Sequence, residues 1–285
     1  MTEKNYTLCA SCPDRAGIIA AVSGFIAGHG GSICEASQHL DQVSGWFFMR
    51  YEIRADSMPL DLEAFREAFT PVADEFGMTW FATASERPKR VLILVSREDH
   101  CLADLLYRWR SGDLNFELAA VVSNHPDLES LAESHGIPFH HVPVRPDHRD
   151  EDFARISELY SHYRGECMVL ARFMQILPPA MCAQYAGRII NIHHSFLPSF
   201  SGARPYQQAA ERGVKIIGAT CHYVTEELDS GPIIEQDVIR VHHGDTARSM
   251  AQQGRDVEKQ VLSRGLRYHL EDRVLIHGNR TIVFA

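Results

Sequence analysis

Apolar and polar residues follow one another along the first third of the chain in two alternating rhythms. Residues 6–12 (YTLCASC), 32–40 (SICEASQHL), 45–53 (GWFFMRYEI) and 78–84 (MTWFATA) carry the period-two pattern of strands. Residues 16–30 (AGIIAAVSGFIAGHG) and 60–69 (LDLEAFREAF) carry the i, i+3, i+4 spacing of helices. Strand, helix, strand, strand, helix, strand is the order of a ferredoxin-like split βαβ unit. Gly28, Gly30 and Gly31 close the first of these helices, where left-handed backbone favours glycine.

A polar, proline-bearing stretch, ASERPKR at residues 84–90, reads as a linker. Beyond it, short apolar runs such as VLILVS, FELAAVVS, CMVLAR and GRIINIH alternate with helical segments such as DHCLADLLYRW, DFARISELYSHY and PPAMCAQY. That alternation predicts a mainly parallel, Rossmann-like sheet with helices on both faces. A helix near 205–212, two strands prone to antiparallel pairing (IIGATCHYV and PIIEQDVI), a long helix from about Thr246 to Leu270 and a hairpin around His277 to Asn279 complete the pattern. The expected division is 1–84, a linker 85–90, and 91–285: a small α+β domain followed by an α/β domain.

The formal net charge of −9 disfavours nucleic acid or an anionic membrane as partner. Seven scattered cysteines, an odd number, point to a reducing compartment rather than a disulfide framework. The start MTEKNYTLCA lacks the features of a signal peptide, and no run approaches the roughly 18 apolar residues of a membrane span, so a cytoplasmic, soluble protein is expected. Cys9 and Cys12 form a C-x-x-C without a second pair, and are read as strand cysteines. His140/His141 and His242/His243 lack carboxylate or i, i+4 partners and are read as loop histidines; no metal is expected.

The chemistry is concentrated in NIHHSFLPSFSGARPYQQA, from Asn191, and TEELDSGPII, from Thr225. Asn191 and His193 close an apolar strand, and their i, i+2 spacing puts both on one face at the end where open α/β sheets place their sites. An amide and an imidazole are suitable donors to the oxyanion of an attacked acyl group. Asp229 is the natural carboxylate, either orienting the imidazole or taking a proton from the nucleophile. No serine or cysteine stands beside a base, so the acyl group passes to something other than the protein.

N-I-H-x-S-x-L-P-x-F with E-E-L-D-x-G-P-I-I downstream, together with GARPYQQA and GATCHYV, resembles the formyltransferase family that uses 10-formyltetrahydrofolate. The resemblance runs from about Pro88 to the C-terminus and implies that Asn191, His193 and Asp229 hold the catalytic positions. It also implies that Met174, Gln175, Ile176 and Leu177 border the folate, with Thr225, Glu226, Glu227 and Leu228 opposite. Gln175 stands where a transformylase offers an arginine to the glutamyl tail. A ribonucleotide-specific transformylase carries a glycine-rich phosphate turn after its first strand, whereas here Val91 to Trp109 has no glycine and brings Glu98 and Asp99. A basic tRNA-binding domain is absent as well.

Over the whole chain, including AQQGRDVEKQVLSRGL and GNRTIVF, the sequence resembles more specifically the formyltetrahydrofolate deformylases. That implies hydrolysis of 10-formyltetrahydrofolate to tetrahydrofolate and formate, a supply of formate for purine biosynthesis, and no prosthetic group. The alternatives are formyl transfer to an amine and a catalytically silent folate or amino-acid sensor. His194, where transformylases usually have proline, either shapes the water site or is structural, since adjacent strand residues face opposite ways. C-P-D-R-A-G-I-I-A resembles the turn of an ACT domain, with Asp14, Arg15 and Gly17 as regulatory candidates. It implies either sensing of an amino acid, methionine or glycine, or only an oligomerising role in a homo-oligomer.

Overall fold

The computed structural model describes residues 4–199 and 205–285. Residues 200–204, the FSGAR part of the motif around Asn191, lie outside the described residues. The chain forms two compact units. One comprises Met1–Pro88, Glu271–His277 and Ile282–Ala285; the other comprises Lys89–Leu270 and Gly278–Thr281. The break after Pro88 falls inside the expected linker. The terminal segment differs from the expected division, because most of it belongs with the first unit.

The first unit contains β1 (Asn5–Pro13), α1 (Ile18–Gly28), β2 (Ile33–Asp41), β3 (Trp46–Arg54), α2 (Leu62–Phe76) and β4 (Thr79–Ala84). Its sheet is antiparallel in the order β2-β3-β1-β4, the ferredoxin-like arrangement expected from the pattern. Ile18, Val22 and Ile26 of α1 and Phe65 and Phe69 of α2 bury their apolar stripes against Leu8, Met49, Tyr51 and Ile53 of the strands. Asp61 caps α2 by accepting from the Ala64 N–H. Only Gly30 of the three glycines after α1 has left-handed backbone, at φ 79°. Gly31 is crowded instead: a Cβ there would stand 2.8 Å from Ile26 Cγ2 and 3.1 Å from Ile26 O. Cys9 and Cys12 emerge on opposite faces of β1, Cys12 into this core and Cys9 beside Phe48, Leu275 and Phe284, because three residues along a strand reverse the side.

The second unit contains β5 (Arg90–Val95), α3 (His100–Ser111), β6 (Glu117–Ser123), α4 (Glu129–Glu133), β7 (Phe139–His141), α5 (Arg149–His162), β8 (Cys167–Leu170), α6 (Pro179–Gln184), β9 (Ile189–His193), α7 (Pro205–Arg212), β10 (Ile216–Tyr223), β11 (Ile233–Arg240) and α8 (Ala247–Leu270). The sheet order is β11-β10-β9-β8-β5-β6-β7; β5 to β9 run parallel, and β10 and β11 antiparallel. Strand order reverses at β5, since β6 lies on one side of it and β8 on the other. The crevice at the C-terminal ends of such strands is where open α/β sheets bind ligands. α8 begins at a reciprocal cap, Thr246 N–H donating to Ser249 Oγ at 2.9 Å and Ser249 N–H to Thr246 Oγ1 at 3.2 Å. The chain closes with β12 (Val274–His277) and β13 (Arg280–Val283), the expected hairpin.

Candidate active site

β9 delivers Asn191 and His193 to the C-terminal end of the sheet on one face, while Ile190 and Ile192 alternate into the packing. β10 runs antiparallel beside it, so that His222 lies directly across from Asn191 and Thr220 across from His193. After β10 the chain loops outward and back, and Tyr223 N–H donates to Pro232 O at 2.9 Å to close the loop. Two backbone features make this return possible. Asp229 has φ 53°, a left-handed conformation that Asp tolerates better than most residues. Gly231 passes so close to β10 that a Cβ would stand 1.8 Å from Tyr223 O.

The loop places Asp229 Oδ1 at 3.2 Å from His193 Nδ1 and at 4.0 Å from His222 Nε2. His193 is 5% exposed, and its Nε2 has no hydrogen-bond partner among the described residues. One ring nitrogen thus faces a carboxylate, and the other is buried with its hydrogen-bonding capacity unspent. On the neighbouring strand, His222 Nδ1 donates to Tyr223 O at 2.9 Å, which fixes the tautomer and leaves Nε2 to accept from Asn191 Nδ2 at 3.1 Å. Burial pushes the His222 pKa down against the opposing pull of the Tyr223 carbonyl and Asp229. A neutral imidazole therefore holds the Asn191 amide in one orientation.

A cleft of about 400 Å³ opens beside these groups. Its lining brings together Asn191, His193 and Asp229 with the expected folate-bordering residues Met174, Gln175, Ile176, Leu177, Thr225, Glu226, Glu227 and Leu228, and with His194. Met174, Ile176 and Leu228 are more than half exposed and give the mouth an apolar rim, whereas Leu177 is 6% exposed and serves the core. The segment bearing Met174 turns sharply, with positive φ at both Arg172 and Met174. Cys182 also borders the cleft, but burial raises its pKa, which holds it as a thiol rather than a thiolate nucleophile.

Asp14, Arg15 and Gly17 belong to the other unit. Arg15 donates to Glu75 O and lies 4.3 Å above the Phe76 ring, Asp14 N–H donates to Gly45 O, and Gly17 at φ 99° starts α1. These contacts tie the β1–α1 turn to the end of α2. His140 Nε2 pairs with Tyr163 OH at 2.9 Å, which explains that histidine as a packing partner.

Two features escaped sequence reasoning. His222 lies within the family-like GATCHYV segment, but its role depends on strand register, which no local pattern reveals. The second is a buried cluster behind the cleft, in which His100 Nε2 at 2.8 Å and Tyr206 OH at 2.6 Å both hydrogen-bond Glu258, with Arg172 Nε at 3.5 Å. Burial pulls the Glu258 carboxyl upward, yet those donors and the Arg172 charge outweigh it, so its pKa falls below the ordinary value. His100, Cys101 and Glu258 are the one set of His, Cys, Asp and Glu side chains among the described residues with metal-ligand proximity. The adjacent guanidinium makes Glu258 a counter-ion there, and disfavours a second cation.

The sequence matches the family model described as Formyl transferase over residues 89–266. It is 48% identical over 283 residues to the formyltetrahydrofolate deformylase of Bacillus subtilis, covering 99% of this chain and 94% of that protein. The crystal structure of a formyltetrahydrofolate deformylase from Pseudomonas syringae pv. tomato superposes with a TM-score of 0.99 at 60% identity, covering 100% of this chain and 96% of that one. Glycinamide ribonucleotide transformylase 1 from Symbiobacterium toebii superposes with a TM-score of 0.65 at 31% identity, covering 70% of this chain and 95% of that one.

Proposed function

This chain belongs to the formyltetrahydrofolate deformylases of the formyl transferase family, and from that premise we infer that it hydrolyses 10-formyltetrahydrofolate to tetrahydrofolate and formate. The observation that carries the reading is the convergence of Asn191, His193 and Asp229 beside a cleft of about 400 Å³, with no activated nucleophile among the described residues of its lining. The substrate lies between the Met174–Leu177 segment and the Thr225–Asp229 loop, with its formyl group directed at Asn191 and His193.

The chemistry follows from the partners of each group. A water oxygen bonds to the formyl carbon, and the Asn191 N–H that is not spent on His222 stabilises the developing oxyanion. Asp229 takes the water proton, directly or by holding the His193 imidazole as its cation forms. As the C–N10 bond breaks, the proton taken from water passes through His193 Nε2 to N10, and the remaining hydroxyl proton goes to solvent as formate leaves. The substrate is consumed stoichiometrically, so the reaction needs no prosthetic group.

The first unit, ACT-like in its order of elements, is read as a regulatory domain that responds to methionine or glycine within a homo-oligomer. Hydrolysis that ran unchecked would discard formyl groups required for biosynthesis, which gives such control a purpose, and the released formate would serve purine synthesis. Among the described residues no helix is long and apolar enough to cross a membrane, which accords with action in the cytoplasm. One assay tests the hydrolytic reading. Purified protein with 10-formyltetrahydrofolate alone releases formate, and Asn191→Ala lowers kcat by about 10²–10³. Turnover only after an amine is added would establish a transferase instead, and no turnover in either case would leave a silent binder.

A further inference from the structure

The cleft is acid-lined where the reaction occurs. Asp229 stands 3.2 Å from His193, Glu226 and Glu227 border the same space, and Arg172 is the one lysine or arginine among the described residues of its lining. Hydrolysis converts a neutral formyl group into an anion there. Formed beside a carboxylate in a half-closed cleft, formate is repelled more strongly than it would be in bulk water. A cation within reach would draw it off the catalytic groups.

Arg172 has the geometry for that task. It follows β8 with φ 65°, and its side chain is 12% exposed. Nε approaches Glu258 Oε2 at 3.5 Å without a hydrogen bond, and Nη1 is buried without a partner. Nη2 is not among the guanidinium's buried, unpartnered nitrogens, and Arg172 itself lines the cleft. Glu258 is the counter-ion of the guanidinium but takes no hydrogen bond from it; its two oxygens are bonded to His100 and Tyr206. Gly254, one turn earlier on α8, admits Tyr206 to this position, since a Cβ there would stand 2.0 Å from the Tyr206 hydroxyl. His194 supplies no rival charge: burial, then the Arg172 cation, pushes its pKa down to about 3.

We propose that Arg172 is the formate-binding residue of this site, donating through its guanidinium to the nascent carboxylate and holding it away from Asp229 until it leaves. The assignment rests on the hydrolytic reading above for the identity of the anion, but its test does not require turnover. ¹³C-labelled sodium formate is titrated into the full-length protein, with and without tetrahydrofolate, and binding is read from the width of the formate resonance.

Arg172→Met weakens formate binding by about 10- to 100-fold, the value of a charge-assisted hydrogen bond, while tetrahydrofolate affinity changes by less than about 3-fold. Arg172→Lys, which keeps the charge but loses the planar fork, falls between. Because Arg172→Met removes the cation beside Glu258, the double variant Arg172→Met/Glu258→Gln removes both charges and shows the same formate loss. Equal formate affinity in wild type and Arg172→Met overturns the proposal, as does an equal loss of tetrahydrofolate. Arg172-dependent formate binding without formate release from 10-formyltetrahydrofolate would sink the hydrolytic reading and still support the anion site.

Discussion

His222→Leu isolates the contribution of orientation to this site. In the native protein His222 is 2% exposed, accepts from Asn191 Nδ2 at 3.1 Å and donates to Tyr223 O at 2.9 Å. Leucine occupies a similar volume and makes neither bond. Asn191 is only half-buried, so its freed N–H can turn to water, whereas the Tyr223 carbonyl loses a partner at a buried position. The stability cost is therefore about 1 kcal/mol, the net worth of one buried hydrogen bond. That is a fraction of the 5–15 kcal/mol typical of a domain, so the variant remains folded.

Catalysis responds differently. Complete removal of one oxyanion donor costs about 10²–10³ in kcat. An amide that is present but no longer aimed retains part of that effect, so His222→Leu lowers kcat by roughly 10- to 30-fold. KM stays within about 3-fold, since His222 is the one cleft-lining residue replaced and it is only 2% exposed. Formate release is measured at saturating 10-formyltetrahydrofolate, well below the unfolding temperature, for His222→Leu, Asn191→Ala and the double variant. If His222 acts through Asn191, adding His222→Leu to Asn191→Ala lowers kcat by less than about 2-fold. Losses that multiply in full would refute the reasoning.

Two further outcomes follow from the same geometry. Gly231→Ala forces a methyl group against Tyr223 O, so the Asp229 loop shifts and kcat falls by at least about 10-fold with little change in Tm; unchanged kcat would show that the loop position is not set by this close approach. Burial pushes the His269 pKa down to about 3, and its Nδ1 accepts from Tyr223 OH at 2.8 Å, so the folded protein keeps it neutral. The unfolded chain, with a pKa near 6.5, takes up the proton first. Stability is thus full above about pH 6.5 and declines as pH falls towards 3, by at most about 2.7 kcal/mol at pH 4.5 for this group. Urea midpoints from pH 7 to 4.5 should fall less steeply in His269→Gln; parallel slopes would remove His269 as a cause.

Hydrophobic periodicity revealed most of the elements because it is a local property. α8 was expected from about Thr246 to Leu270 and spans Ala247–Leu270, and the β-α-β-β-α-β order of the first unit follows the alternation of its strands. Other expectations met limits that arise from packing. His140 and His141 were expected in a loop, but both lie on β7, where pairing with Val122 and Ser123 of β6 makes them strand residues; Pro143, with no N–H, cannot extend the ladder. Gly28 and Gly31 were read as left-handed residues, but Gly28 ends α1 in helix and Gly31 answers to crowding by Met58 and Ile26.

Asn191, His193 and Asp229 were legible because two ordered motifs and their strand-end placement mark them without reference to the rest of the molecule. Local pattern was thus enough for the two architectures and for marking Asn191, His193 and Asp229 as candidate site residues, and the family likeness of the motifs pointed to formyl chemistry. Tertiary structure alone decided what holds and surrounds that trio. His222 meets Asn191 through the register of β9 against β10, and His100 meets Glu258 across 158 residues of chain. Such pairings carry no periodic trace in sequence, because they are selected by which folded backbones approach closely enough to satisfy buried polar groups.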